Sequence, residues 1–163
     1  MKDLLARLKQ LAAQDKTANK AFFKKLSKKQ KQKLDNKVHA LHHEAFEQIN
    51  CLDCANCCKT LGPRLTDRDI EKLSKATRLK TKAFIEQYLR IDEDNDYVFK
   101  EMPCPFLAAD NYCMVYENRP KACSEYPHTN RKRFYQIANL SIKNSSTCPA
   151  VYDILKTLRE ERI

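Results

Sequence analysis

Cys51-Leu-Asp-Cys54-Ala-Asn-Cys57-Cys58 packs four cysteines into eight residues, and Cys104, Cys113, Cys123 and Cys148 follow singly. The spacing C-x2-C lets one loop present two thiolates to one metal ion. The run C-x2-C-x2-C also opens the cluster loop of bacterial ferredoxins, where the fourth cysteine stands three residues further on, before a proline. Here the fourth is adjacent. Neighbouring side chains diverge, by about 100° on a helix and to opposite faces on a strand. The doublet Cys57-Cys58 is therefore expected to serve two centres, or two metal atoms of one larger cluster. Eight cysteines suffice for two four-thiolate centres.

Two plainer readings compete with metal. Eight is an even number and suits a disulfide framework. Against that, the first residues, Met1-Lys-Asp-Leu-Leu-Ala-Arg-Leu-Lys, carry charges every few positions and no apolar core, unlike a secretory signal. No stretch approaches the roughly 20 apolar residues of a membrane span. The expected location is the cytoplasm, away from membranes, where thiols stay reduced and cysteine pairs more often bind metal. Eight unrelated buried thiols are the other reading. Chance does not readily place four of them in eight positions.

A chain of 163 residues makes one domain with an appendage. It has a single glycine, Gly62, and no tryptophan. One glycine rules out G-x-G-x-x-G and P-loop nucleotide sites. It also predicts few turns with positive φ, and much helix. The net charge of +10 is uneven: residues 1–50 hold 12 Lys+Arg against 5 Asp+Glu, and the remaining 113 hold 19 against 16. This division suggests a lysine-rich helical extension over 1–49 and a cysteine-cluster metal-binding domain over 50–163.

Along the chain, Leu4, Leu5, Leu8, Leu11 and Ala12 predict a helix over 2–14, with a break from Asp15 to Asn19. Ser27 is a plausible N-cap for a second helix reaching about Gln48, with Leu34, Val38, Leu41 and Ala45 on one face. His39 and His43 are four apart, as two ligands on one helix can be, but no H-E-x-x-H pattern accompanies them. The lysines from Lys20 to Lys33 would attract phosphates, and Phe22 and Phe23 could stack on bases. The plainer reading is a solvated lysine face with two core phenylalanines. Gly62-Pro63 marks a turn. Thr66-Asp-Arg-Asp69 resembles a capping box, opening a helix with Ile70, Leu73 and Ala76 inward. Another helix is expected near Thr81–Leu89, carrying Phe84, Ile85, Tyr88 and Leu89. The acidic run from Asp92 to Asp96 lacks the glycine and closing glutamate of a calcium loop, and reads as a turn before a strand at Tyr97-Val-Phe. Asp110-Asn111 suits the turn of a hairpin that brings Cys104 near Cys113. Pro120 and Pro127 predict a rigid, mostly non-helical segment, in which Arg119 could fix Glu117 or help neutralise a thiolate-rich centre. His128 is a candidate ninth ligand. Arg131, Lys132 and Arg133 form a small basic patch. The run Phe134–Ile142 alternates loosely. Pro149 opens a last helix, with Val151, Ile154, Leu155 and Leu158 on its apolar face. The expected fold is mainly α with a small β-hairpin region and an irregular core stapled by metal.

The ordered pieces Cys51-x2-Cys54-x2-Cys57-Cys58, Leu65-Thr66-x2-Asp69-Ile70, Cys104-Pro-Phe-Leu, Cys113-Met-Val-Tyr116-Glu117-x-Arg119-Pro120-x2-Cys123, Tyr126-Pro127 and Cys148-Pro149 carry a resemblance. Over about residues 50–150 the chain resembles the YkgJ cysteine-cluster family of zinc- or iron-chelating proteins, named for its C-x-x-C-x-x-C-C run. Members usually carry glycines inside that run, where this chain has Asp53, Ala55 and Asn56. The resemblance implies metal binding, with Cys51, Cys54, Cys57, Cys58, Cys104, Cys113, Cys123 and Cys148 as ligands. Zinc, iron and an iron–sulfur cluster all remain open as the cofactor. Three functions follow as expectations. One is a thiolate metal centre, iron–sulfur or zinc, with a redox or accessory role. Another is a structural zinc module presenting its basic helices to a protein or nucleic-acid partner. The third, implied by relatives with similar cysteine runs in flagellin lysine methylases, is an enzyme acting on protein lysines.

Overall fold

A computed structural model describes residues 2–161 of the chain. In order come α1 (Lys2–Lys25), α2 (Lys28–Gln48), the short α3 (Cys51–Cys54) and α4 (Asn56–Thr60), α5 (Asp67–Ala76), α6 (Thr81–Tyr88), β1 (Leu89–Ile91), β2 (Tyr97–Phe99), α7 (Lys121–Glu125), α8 (Ala138–Asn144) and α9 (Pro149–Glu160). Single 3-10 turns occupy Tyr116–Asn118 and Phe134–Ile137. The fold is mainly α with a small antiparallel sheet, as the sequence predicts. Among the described residues no helix is long and apolar enough to cross a membrane. The chain divides into two compact units: one joins the chain up to Asp53 with the chain from Pro127, and the other is Cys54–Tyr126. Packing thus groups the molecule differently from composition, because the apolar face of the last helix belongs with the lysine-rich helices.

In the helical unit, α2 starts at Ser27 in a full capping box: its hydroxyl accepts from Gln30 N–H, and the Gln30 side chain accepts from Ser27 N–H. Leu34, Val38 and Leu41 of α2 are buried with Val151, Ile154, Leu155 and Leu158 of α9 in one core. Each such side chain contributes roughly 1.5–3 kcal/mol by leaving water. Pro149 sits in the first turn of α9, where its missing N–H costs nothing. Two expectations change here. The break expected over 15–19 is absent, and α1 runs on to Lys25. No Gly or Pro interrupts that stretch, Asn19 is buried, and Asp15 pairs with Arg159 at 2.5 Å. Phe22 and Phe23, partly buried, pack against the core, with Phe23 6.1 Å from the Phe134 ring, in line with the plainer of the two readings given for them. The loosely alternating run 134–142 is a 3-10 turn leading into α8, with Phe134 and Ile142 buried in the core.

The cysteine-bearing unit has its own core of Leu65, Ile70, Leu73, Phe84, Leu89, Phe99 and Phe106. Strands β1 and β2 pair antiparallel, Leu89 opposite Phe99 and Ile91 opposite Tyr97. Their connection is the acidic loop, in which one oxygen of Asp92 accepts from the N–H groups of Asp94 and Asp96, both at 3.0 Å. Those carboxylates shape a turn, as the sequence suggests. Thr66 caps α5 with Asp69 completing the box. Ala76, expected inward, is exposed, and Ser74 is buried in its place with its hydroxyl on Ile70 O. The segment after Pro120 is also revised: Lys121–Glu125 forms a turn of α-helix, with the proline just before it as N-cap. A proline blocks helix behind itself, not ahead.

Scarce glycine does not mean scarce positive φ. Among the described residues six non-glycines take it, namely Ala55, Arg78, Asn95, Asn111, His128 and Arg133, while Gly62 does not. With one glycine in the chain, the tight turns fall to other residues; asparagine, at two of these positions, tolerates the left-handed region best.

Candidate metal centre

Four separate segments of the cysteine-bearing unit deliver thiols to one place. Cys58 rides on α4, and its carbonyl accepts from Cys104 N–H at 2.9 Å, which ties the first cysteine run to the Cys104 turn. Cys104 is held in turn by Phe106, two residues on. That ring is buried and meets Tyr88 at 5.1 Å, Phe99 at 5.8 Å and Phe84 at 6.3 Å. Cys113 pairs with Leu107 in a single antiparallel bridge, closed by the turn at Asn111 with φ 66°. The expected hairpin is therefore present as a tight turn with one bridge and no strands.

Cys123 arrives on α7, and one carboxylate places that helix. Asp69 accepts through Oδ2 from Thr66 N–H at 3.0 Å and Thr66 Oγ1–H at 2.7 Å, and through Oδ1 from Lys121 N–H at 3.0 Å. A residue read from sequence as the end of a capping box thus also holds the first turn of the helix that carries Cys123. The sequence signal was the acid at that position; its second partner, 52 residues on, left no local trace.

The electrostatics agree with the grouping. Burial pushes the Cys104 thiol up to about 11, against a hydrogen bond from Phe106 N–H, and the charges of Cys58 and Cys113 push it further. Burial likewise raises Cys123 to about 12, with Cys104, Cys58 and Cys113 adding to the rise and Arg119 opposing it. Cys58 moves the other way, to about 7: the Cys57 thiol hydrogen-bonds it, and Lys59 and Arg119 favour its charge, against burial. Cys58, Cys104, Cys113 and Cys123 therefore form one interacting set beside two cations. Arg119 lies 4.0 Å over the Tyr116 ring, which fixes its guanidinium near the thiols. Of the two roles expected for Arg119, the structure favours charge neutralisation.

The doublet does not diverge as expected. Cys57 Sγ and Cys58 Sγ stand 4.0 Å apart. Thiolates sharing a tetrahedral ion at about 2.3 Å from the metal stand roughly 3.8 Å apart, so side-chain rotation has overcome the 100° offset of the backbone. The turn before them is made by Ala55, buried with φ 45° and ψ 20°.

The other expected ligands are Cys51, Cys54 and Cys148, with Cys57 beside Cys58. Cys54 ends α3, and its carbonyl accepts from Lys59 Nζ at 3.3 Å. Cys51 is exposed and falls in the helical unit, as does Cys148, which is partly buried against that unit's core. His39 Nε2 lies 3.1 Å from Arg131 O and His42 Nδ1 lies 2.7 Å from Thr129 Oγ1, so both rings brace the 129–131 segment. His128 belongs to the helical unit with φ 67°. Among the described residues no three Cys, His, Asp or Glu side chains already surround a point as ion ligands. The four thiols are gathered within electrostatic reach of one another and are not yet closed on one point. Their chemistry fits a soft tetrahedral ion: all-sulfur sites suit zinc or iron.

The model of the CxxCxxCC family, described as "Putative zinc- or iron-chelating domain", matches residues 50–149, a span that encloses all eight cysteines. No curated protein and no solved structure matches the chain.

Proposed function

The chain belongs to the CxxCxxCC family of zinc- or iron-chelating domains, and from that premise we propose that Cys58, Cys104, Cys113 and Cys123 hold the ion. The observation that carries this reading is that segments up to 65 residues apart are tied together within one compact unit: Cys104 N–H donates to Cys58 O at 2.9 Å, Cys113 bridges Leu107, and Asp69 holds the first turn of the helix that carries Cys123. Four protein thiolates leave a tetrahedral ion no open position, which suits a structural centre that staples the unit. Zinc bound there would supply cross-linking alone, whereas iron or an iron–sulfur cluster would add electron transfer. Cys57 is a fifth thiol at the edge of the set, and its S–H to Cys58 supports the thiolate form.

The test is elemental analysis with an anaerobic visible spectrum, on wild-type protein and on Cys58→Ser, Cys123→Ser and Cys57→Ser. Wild-type protein is expected to hold zinc or iron, to lose most of it in the Cys58 and Cys123 variants, and to keep more of it in the Cys57 variant. The spectrum separates the metals, because zinc is d¹⁰ and colourless. Full metal content in both Cys58→Ser and Cys123→Ser would overturn the assignment.

A further inference from the structure

The whole net charge of the chain resides in the helical unit. Cys54–Tyr126 holds 12 Lys+Arg against 12 Asp+Glu, and the rest holds 19 against 9. Within the helical unit the imbalance narrows to two stretches. Residues 16–43 contain nine lysines and one carboxylate, Asp35; residues 127–152 contain Arg131, Lys132, Arg133 and Lys143 and no carboxylate.

The fold brings these stretches together. Asp35 accepts from Arg133 N–H at 2.6 Å and from Phe134 N–H at 2.9 Å. Phe134 packs on Phe23 at 6.1 Å, and Lys31 Nζ lies 5.6 Å from the Tyr135 ring. The corner where α1 passes into α2, with Lys24, Lys25, Lys28 and Lys29 exposed, therefore lies beside the exposed run 131–133. Two basic segments about 100 residues apart become one surface. Within the two segments the one carboxylate, Asp35, accepts from two backbone N–H groups, and outside them Glu161 pairs with Lys37, which leaves the lysines well in excess.

We propose that this corner of the helical unit binds the phosphate backbone of a nucleic acid, without regard to base sequence. Charge complementarity identifies the occupant: a nucleic-acid strand carries one negative charge about every 3.4 Å, a density to match clustered lysines. Lysine predominates over arginine here, and lysine meets phosphate as a point charge with no planar fork to read a base edge. Phe22 and Phe23, the aromatics within the lysine run, belong to the core, so base stacking contributes nothing there. A membrane surface is the poorer fit. A helix lying in lipid presents large apolar side chains beside its cations, and the exposed large hydrophobics of the chain include none between residues 16 and 43.

The experiment uses the full chain as purified, a labelled RNA strand of about 20 nucleotides in two unrelated sequences, polyglutamate, and vesicles containing phosphatidylserine. Both RNAs are expected to bind with equal affinity at ~50 mM salt, with log affinity falling against log salt by about 0.7 per phosphate contacted. Arg131→Gln with Lys132→Gln should weaken binding roughly tenfold or more and flatten that slope by about 1.4. Lys28→Gln with Lys29→Gln, on the other segment, should do the same. All four positions are exposed, and an unchanged melting curve certifies the variants. The proposal fails if RNA binding is absent at ~50 mM salt or independent of salt. It also fails if vesicles or polyglutamate bind more tightly than RNA, or if the 131–132 change leaves affinity intact. None of these readouts depends on metal content, so the thiolate assignment stands or falls separately.

Discussion

Asp69 links two elements with one carboxylate. It is 4% exposed, yet its carboxyl is held below the ordinary value: burial pushes it up, and hydrogen bonds from Thr66 and Lys121 outweigh that push. A carboxyl depressed in the folded state contributes stability above its unfolded value of about 3.9, and that contribution is lost as pH falls through the folded value. Asp69→Asn is therefore expected to lower stability at pH 7 by about 1–3 kcal/mol, the cost of an impaired buried hydrogen-bond group. The gap between wild type and variant should close below about pH 4. Urea unfolding of both proteins across pH measures it, and a gap that is constant down to pH 3 would contradict the role given to the ionised form. Ala55 shows the reverse situation, a residue that fits its place poorly. A left-handed alanine costs roughly 1–2 kcal/mol, and this chain tolerates that at the turn that leads into Cys57 and Cys58.

At the scale of elements, the helical unit depends on one face of α9. Leu155 is 2% exposed between α2 and α8 residues of the same core. Leu155→Ala should cost about 2–5 kcal/mol, seen as an earlier loss of helical circular dichroism on heating, while metal content is retained. Loss of metal together with helix in this variant would show that the two units do not hold their structure separately. The boundaries of α2, α5 and α9 were legible because each has a local stop or start: Ser27 with Gln30, Thr66 with Asp69, and Pro149. The run-on of α1 was not, since what carries it across 15–19 is a pairing with Arg159, far along the chain. The helices at 121–125 and 138–144 were illegible for the same reason. Lys121 N–H is held by Asp69, and Phe134 N–H by Asp35, contacts with no echo in nearby sequence.

Across the whole molecule, sequence showed that the cysteines matter but not how they divide. Eight thiols in order look like one inventory. Cys58, Cys104, Cys113 and Cys123 influence one another within the Cys54–Tyr126 unit, with Cys57 beside Cys58, while Cys51 and Cys148 belong to the helical unit. Composition likewise showed a basic front, while the fold adds the 131–133 run to it. The net charge thus belongs to the helical unit, and six of the eight cysteines to the unit without net charge.

Four thiolates from separate segments are proposed to close on one ion. X-ray absorption at the metal edge of the purified protein reads that ion's neighbours directly. The expected result is a shell of four sulfurs at about 2.3 Å, reduced in both sulfur number and metal occupancy by Cys123→Ser. A shell dominated by nitrogen or oxygen, or a four-sulfur shell that survives Cys123→Ser unchanged, would contradict it.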